Sequence, residues 1–448
     1  MVKLYYYFTE YLWLFGVLFF VYLSWHGVRK REKEQQVAKR KWKDTQEKKM
    51  DQPMTLHPQI DPRLCSGCGA CVSACPEGEI LKLINHKAVL IEPTKCVGHG
   101  ECEVACPMDA IKLVFGTKER GMQLPRINSH FETNVTGLYI AGELGGMGLI
   151  RNAVKQGKTA VEHAAKSAGS VNGQADVDIL VVGAGPAGLA ASLAAASVGA
   201  NYLCIEQAKF GGTIYNFPKQ KVVMSYPLEL PGIGPIKFPK NKVSKEEILA
   251  VWNGVRKQKK LRIKENVKFI NLSKQSGIFH VETSDGIIKA KKVIMCMGVR
   301  GSPRKLGVPN EESIKVTYNL LDPDQYQGQW IAVVGGGNAG VEAAQYLAKP
   351  SRRNKVFLLV RGDQLDRCNE ENQKIIFEMA EKKQVVISWN TSVTEVQPDH
   401  VVVDKDGQKL RLQNDYLFIF AGAELPFKFL ESLGVKIDTK HGEAVKAG

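Results

Sequence analysis

The stretch DILVVGAGPAGLAASLAAASVGANYLCIEQ, residues 178–207, decides how most of the chain folds. Its apolar start reads as a buried strand that breaks at Gly183-x-Gly185-x-x-Gly188. An Ala-rich helix follows, then a second apolar strand ending on Glu206. The glycines permit a tight turn and let a pyrophosphate approach the backbone at a helix N-terminus. An acid at the end of the second strand is placed to bond a ribose hydroxyl. Three spaced glycines alone are weak evidence; strand, turn, helix, strand and acid in this order point to a dinucleotide.

A second copy, WIAVVGGGNAGVEAAQYLA, carries Gly335, Gly337 and Gly340. Its next strand, KVFLLVRG, ends at Arg361 instead of an acid. An acid suits a free ribose 2′-hydroxyl and an Arg suits a 2′-phosphate, so this site leans to NADPH over NADH. The plainer reading of Arg361 is a surface charge. Two such units in one chain suggest FAD first and NAD(P)H second.

Other stretches agree. KKVIMCMGVRGSPRKLGVPNEE resembles the strand and turn that re-enter the FAD domain of the two-dinucleotide flavoprotein disulfide reductases. FGGTIYNFPK, with Gly212 and Thr213, resembles the flavin-contacting turn of the thioredoxin-reductase branch. DYLFIFAGAELPFKFLESLGVKI resembles the end of that branch's NAD(P)H domain. The resemblance implies an α/β fold with two Rossmann-like domains. One family element, a strand and turn reaching the flavin, is missing from the C-terminus. A similar string stands earlier, FETNVTGLYIAGELGGMGLIRNAVKQG (residues 131–157), with Gly142-Glu143 where the family has Gly-Asp. The flavoprotein is therefore expected to be circularly permuted, which short distances between termini allow.

Thioredoxin reductases carry C-x-x-C just before the second Gly-rich motif. The matching stretch here, KVTYNLLDPDQYQGQW, has Asn319 and Asp322 at those positions. Direct disulfide reduction by a thiol pair is not expected.

Seven of the ten cysteines lie in one window. CSGCGACVSACP supplies Cys65, Cys68, Cys71 and Cys75 before Pro76, the C-x2-C-x2-C-x3-C-P spacing of iron–sulfur ligands. CVGHGECEVACP supplies Cys96, Cys102 and Cys106 before Pro107, each 31 residues after its counterpart. His99 therefore stands where Cys68 has its repeat. This window resembles the bacterial two-cluster ferredoxins, a small α+β fold. The resemblance implies one [4Fe–4S] cluster on Cys65, Cys68, Cys71 and Cys106. It gives the second cluster Cys75, Cys96 and Cys102, with His99 at the departing corner. Three readings of His99 stand open: imidazole ligand of a [4Fe–4S] cluster, bystander to a [3Fe–4S] cluster, or spectator beside an open iron. Cys204, Cys296 and Cys368 are scattered; Cys204 and Cys296 sit in apolar strand-like runs and read as core residues, which argues against disulfides and for a reducing compartment.

The chain begins MVKLYYYFTEYLWLFGVLFFVYLSWHGVRK, apolar from Leu4 to Trp25 except for Glu10. About 20 apolar residues span a bilayer core. Lys and Arg crowd the following stretch, residues 28–49, so the expected arrangement is a single-pass anchor in the inner membrane, N-terminus out and catalytic domains cytoplasmic. The formal net charge is +15, yet no nucleic-acid motif accompanies it, and nucleic acid is not an expected partner.

The expected organisation is an anchor at 1–28, a basic linker at 29–58 and a ferredoxin domain at 59–116. A permuted FAD segment at 117–166 and a linker at 167–176 follow. The FAD domain takes 177–310, the NAD(P) domain 311–424, and 425–448 returns to the FAD domain. The expected function is electron transfer between NAD(P)H, FAD and the clusters, to or from a soluble carrier protein or a membrane redox subunit. A homodimer is compatible with this. The rivals are a low-molecular-weight thiol–disulfide reductase and a non-catalytic redox sensor. The chemistry would belong to the cofactors, so no side chain is nominated as acid, base or nucleophile.

Overall fold

The computed structural model describes residues 2–47, 53, 56–78, 80–119, 121–146, 148–169, 174–224, 228–238, 242–299, 303–422 and 426–444, without the side chains of residues 2–15, 94, 224, 242 and 444. The chain divides into two compact units. One is Met1–Pro53 with His57–Val114; the other is Met54–Leu56 with Phe115–Gly448.

In the first unit, strand His57–Ile60 pairs antiparallel with Ile111–Phe115. Leu81–Ile84 and Lys87–Leu90 form a hairpin whose two turn residues, Asn85 and His86, both have positive φ. That is the turn whose twist matches paired strands. Two short helices, α2 (Ala70–Ala74) and α3 (Glu101–Val104), follow the two cysteine loops. Cys71, Cys96 and Cys102 are buried in one core with Ile80, Leu81, Ala88 and Ile111. The thiols thus replace much of the hydrocarbon that so small a fold would otherwise need.

Helix α1 runs unbroken from Val2 to Glu47. Its basic half, expected as a linker, packs on the hairpin. Ala38, Lys41 and Thr45 recur at spacings of three and four, so they share one face. Ala38 is buried with Ile84 and Ile91. Thr45 donates to the Ile91 carbonyl at 2.9 Å. Glu92, 5% exposed, holds Lys41 at 2.8 Å and Lys95 at 2.6 Å.

The expected membrane anchor is corrected. Among the described residues no helix is long and apolar enough to cross a membrane. Charge takes over from Arg29. Part of the expected span falls on side chains outside the described residues. The inner-membrane location with the N-terminus out, and the membrane as partner, go with the anchor.

The second unit is built on two sheets, one mixed and one parallel. The first has the order Ile263–Glu265, Tyr202–Glu206, Val177–Val182, Gly286–Met295, Ile278–Thr283, Phe269–Gln275. The first four run parallel, and the last two add an antiparallel hairpin. Strand Leu138–Ile140 pairs in parallel with the end of Gly286–Met295, Val293 opposite Leu138. Helices α4 (Ile150–Ala168) and α5 (Pro186–Ser197) cover one face. They meet at Gly157, where a Cβ would lie 2.2 Å from the Ala187 carbonyl oxygen. Leu430, Leu433 and Val435 from the C-terminal return help fill the other face. Helix α6 (Lys245–Gln258) begins with a reciprocal cap between Ser244 and Glu247.

The second sheet is all parallel, in the order Val316–Thr317, Tyr416–Ile419, Trp330–Val334, Lys355–Leu359, Val385–Ser388. Helices α7 (Asn338–Leu347) and α8 (Glu370–Glu381) contribute to the core on one face. The three-stranded meander of residues 391–413 packs on the other. The two halves are clasped by Lys219 N–H donating to the Leu321 carbonyl at 2.8 Å and by the Lys221–Glu342 ion pair.

Burial pushes the Glu92 carboxyl up, but Lys41 and Lys95 outweigh it and hold its pKa below the usual 4.5. A lowered carboxylate pKa stabilises above the unfolded value and the gain is lost as pH falls through the folded one. Glu92→Gln should therefore weaken α1 docking at pH 7 by about 1–2 kcal/mol, and should remove part of its loss on acidification below about pH 4.5. Amide hydrogen exchange over residues 34–47 at both pH values measures this.

Candidate dinucleotide and iron–sulfur sites

The first Gly-rich loop joins Val177–Val182 to α5. A Cβ on Gly188 would lie 1.8 Å from the Gly183 carbonyl oxygen, so helix and strand touch backbone to backbone. A Cβ on Gly185 would meet nothing within 4 Å. The first contact needs glycine for packing; the second position leaves the open cradle that a pyrophosphate would fill. Glu206 is buried at the end of its strand. Its carboxylate accepts from Ala184 N–H at 2.8 Å and Ala208 N–H at 3.0 Å, bracing the loop from below. Gly212 approaches from the side, a Cβ there lying 3.2 Å from Gly185 Cα, and Thr213 follows in the same short turn.

Residues 131–157 reach this loop too. Gly142, with φ of 90°, presents its α-carbon to Ala187 at the start of α5, and Glu143 opens the next turn half-buried. Gly142 N–H donates to Gln156 Oε1 at 2.7 Å. Gln156 is 2% exposed, and its Nε2 has no hydrogen-bond partner among the described residues. A buried amide donor left unpaired is costly, and a ligand acceptor would satisfy it. Motif reading does not reach Gln156. The available signal was a polar side chain on the otherwise small, apolar face formed by Ala153, Gly157, Ala160 and Ala164.

The second loop repeats the first. A Cβ on Gly340 would lie 2.2 Å from the Gly335 carbonyl oxygen, and Gly337 faces open space except for the Arg367 carbonyl at 3.9 Å. Arg361 is exposed on the turn that follows Lys355–Leu359. Arg367 lies on the same turn and also escaped the motif reading.

The seven thiols fall into two groups. Cys65, Cys68, Cys71 and Cys106 line one small pocket, of about 10 Å³, with Leu83, Ala88, Met108 and Ile111. Burial pushes the Cys71 thiol up, and Cys65, Cys106 and Cys68 add to it. Cys75, Cys96 and Cys102 form the other group. Burial takes Cys96 up to about 11 and Cys102 up to about 12, with Cys75 acting on both and Cys96 on Cys102. Cys68, exposed, is lowered by the Ala70 N–H and the Ser66 hydroxyl. Among the described residues no three His, Cys, Asp or Glu side chains are grouped to hold a single metal ion. A multi-iron core at each group would supply the positive charge that stabilises thiolates. His99, at the corner opposite Cys68 in the repeat, faces Glu77 at 3.6 Å.

Two paired Gly-rich loops, one braced by a buried acid, define a two-dinucleotide flavoprotein with an iron–sulfur domain in front. The profile of the pyridine nucleotide-disulphide oxidoreductases matches residues 180–446, and that of the 4Fe–4S dicluster domain residues 57–107. The chain belongs to the pyridine nucleotide-disulphide oxidoreductase family and is an FAD-dependent oxidoreductase carrying an iron–sulfur domain. It is 30% identical over 282 residues to a ferredoxin–NADP reductase of Ignicoccus hospitalis, covering 59% of this chain and 83% of that one. It is 28% identical over 268 residues to the bacilliredoxin reductase Bdr of Bacillus subtilis, covering 59% and 82%. The solved bacillithiol disulfide reductase Bdr of Bacillus cereus superposes with a TM-score of 0.53 at 26% identity, covering 58% and 82%.

The two glycines of the first loop should separate in their effects. Gly185→Val should leave secondary structure intact and cut flavin retention at least about tenfold, read from visible absorbance of the purified protein. Gly188→Val should cost about 3 kcal/mol or more, read by urea unfolding, because strand and helix must part.

Proposed function

We propose that this chain moves electrons between NADPH and two iron–sulfur clusters by way of FAD, and exchanges them with a protein electron carrier. The lack of a usable thiol pair in the flavoprotein unit carries this reading. Asn319 and Asp322 stand where thioredoxin reductases have their cysteines, and Asp322 faces Lys219 at 3.9 Å. Cys204, Cys296 and Cys368 are all buried. The remaining seven thiols sit in the unit matched by the dicluster profile.

Bound FAD would exchange a two-electron donor for single-electron acceptors. The chain's part is to hold and orient. Gly183, Gly185 and Gly188 would seat the FAD pyrophosphate, with Glu206, Gly212, Thr213, Gly142 and Glu143 around it. Gln156 would offer its unpaired amide to the same ligand. Residues 131–157 would replace, ahead of the first Gly-rich loop, a segment that family members carry at the C-terminus. The pairing of Leu138 with Val293 and the approach of Gly142 to α5 support that. Gly335, Gly337 and Gly340 would seat NADPH, Arg361 meeting the 2′-phosphate. Cys65, Cys68, Cys71 and Cys106 would hold one [4Fe–4S] cluster; Cys75, Cys96 and Cys102 would hold the second. The likeness to a ferredoxin–NADP reductase supports a carrier-protein partner.

A second reading, a low-molecular-weight disulfide reductase, is favoured by the turn Gly211–Lys219 and the likeness to a bacilliredoxin reductase. Anaerobic titration separates the two. On the first, NADPH bleaches the flavin band and a cluster EPR signal then grows. On the second, disulfide is turned over while the cluster signal stays unchanged. Arg361→Ala should raise the KM for NADPH about tenfold and leave that for NADH within about twofold, measured by steady-state reduction of an artificial acceptor.

A further inference from the structure

The flavin and nucleotide halves are joined by two passes of chain. Val299 and Phe427 pack with the core of the flavin half, Leu306 and Ala421 with that of the nucleotide half. Two connecting loops form a hinge that is free to swing unless other contacts fix it. Such contacts come from one strip of each half. Lys219 N–H donates to the Leu321 carbonyl at 2.8 Å. The Lys219 ammonium lies 3.9 Å from both Asp322 and Asp324. Lys221 pairs with Glu342, and the charge of Asp322 reaches Lys245. Three lysines of the flavin half thus meet three carboxylates of the nucleotide half.

The pairs are unequal. Lys219 is half exposed and its partners lie at the outer limit of an ion pair, a geometry that contributes little in water. Lys221 and Glu342 are only 24% and 22% exposed. The Glu342 carboxylate is also oriented from two sides. Lys221 takes Oε2, and the buried Asn372 donates its Nδ2–H to Oε1 at 3.2 Å. Asn372 Nδ2 reaches Asn338 Oδ1 at 3.2 Å as well. Asn338 is the first residue of α7, directly after Gly337, and its Oδ1 accepts from Asn369 N–H at 2.8 Å. On the other side, Lys221 is tied to the turn that follows Gly212 and Thr213. Its ammonium lies 5.5 Å from the centre of the Phe217 ring, and its carbonyl accepts from Lys245 N–H at 2.9 Å. Lys245 Nζ in turn donates to the carbonyls of Tyr215 and Phe217. One polar path therefore runs from the second Gly-rich loop to the turn beside the first.

We propose that Lys221 and Glu342 are positioning residues for hydride transfer from NADPH to FAD, holding the nucleotide half against the flavin half in the orientation from which the transfer starts. This rests on the electron-transfer reading above. The pair orients; it makes no bond in the reaction and moves no proton or electron. A contact of this kind acts on the rate at which bound NADPH reduces the flavin. It leaves the affinity for NADPH alone, because the loop of Gly335, Gly337 and Gly340 lies wholly in the nucleotide half.

The test uses the full chain with FAD bound, mixed anaerobically with NADPH in a stopped-flow instrument. Glu342→Gln and Lys221→Met should each slow the limiting rate of flavin bleaching about tenfold or more and leave the NADPH dissociation constant within about twofold. The charge-reversed double variant, Lys221→Glu with Glu342→Lys, should bleach faster than either single variant, because it restores the pair. Amide hydrogen exchange over residues 219–223, measured without turnover, should quicken in both single variants and slow again in the double. Limiting rates unchanged in both single variants overturn the proposal, as does a double variant no faster than the singles. A slowed rate with exchange unchanged also overturns it, since the pair then does not hold the halves together. A wild-type flavin that NADPH does not bleach overturns the electron-transfer reading itself, and with it hydride transfer as the purpose of the pair, even where exchange shows the pair joining the halves.

Discussion

The flavoprotein unit depends on a backbone contact that no side chain can replace. At Gly188 and at Gly340 a helix lies so close to its strand that even a methyl group would collide with a carbonyl oxygen. This closeness brings the helix N-terminus to the end of the strand, where its free N–H groups can meet a phosphate. The other parts of each site are arranged around it. Glu206 braces the first loop through Ala184 and Ala208. The 142–143 turn and α4 close over α5, which is possible because Gly157 and Ala187 keep that crossing thin.

The iron–sulfur unit is governed by a different constraint. It is a small fold whose core is partly made of thiols, and buried thiolates are unfavourable without compensating positive charge. The pKa values of Cys96 and Cys102 are raised for that reason. Bound clusters would supply the charge that makes the thiolates stable, which would couple folding to their assembly. The basic half of α1 adds Ala38 to a small cluster with Ile84 and Ile91, and Lys41 as a partner for the buried Glu92.

The region between the flavin and nucleotide halves carries ion pairs in place of a thiol pair. Where thioredoxin reductases exchange disulfides, this chain has Asp322 facing Lys219, with Lys221 paired to Glu342 nearby. These contacts join the two halves.

Short-range features were legible in the residues alone. The Gly-rich loops, the strand and helix around each, the cysteine repeat with its substituted corner, and the missing thiol pair are all set by spacing within a few residues. Side-chain chemistry and backbone geometry act there at the range a sequence displays. The reading that failed was the membrane anchor, because an apolar run says nothing of where the helix carrying it ends or what it packs against. Contacts between distant segments needed the folded chain: Gln156 under Gly142, strand Leu138–Ile140 beside Gly286–Met295, Ala38 and Thr45 against the hairpin, and Glu77 facing His99. Local spacing determined which residues could hold cofactors. Only tertiary packing decided which neighbours support them, because burial and hydrogen-bond pairing depend on segments that approach each other in space and not along the chain.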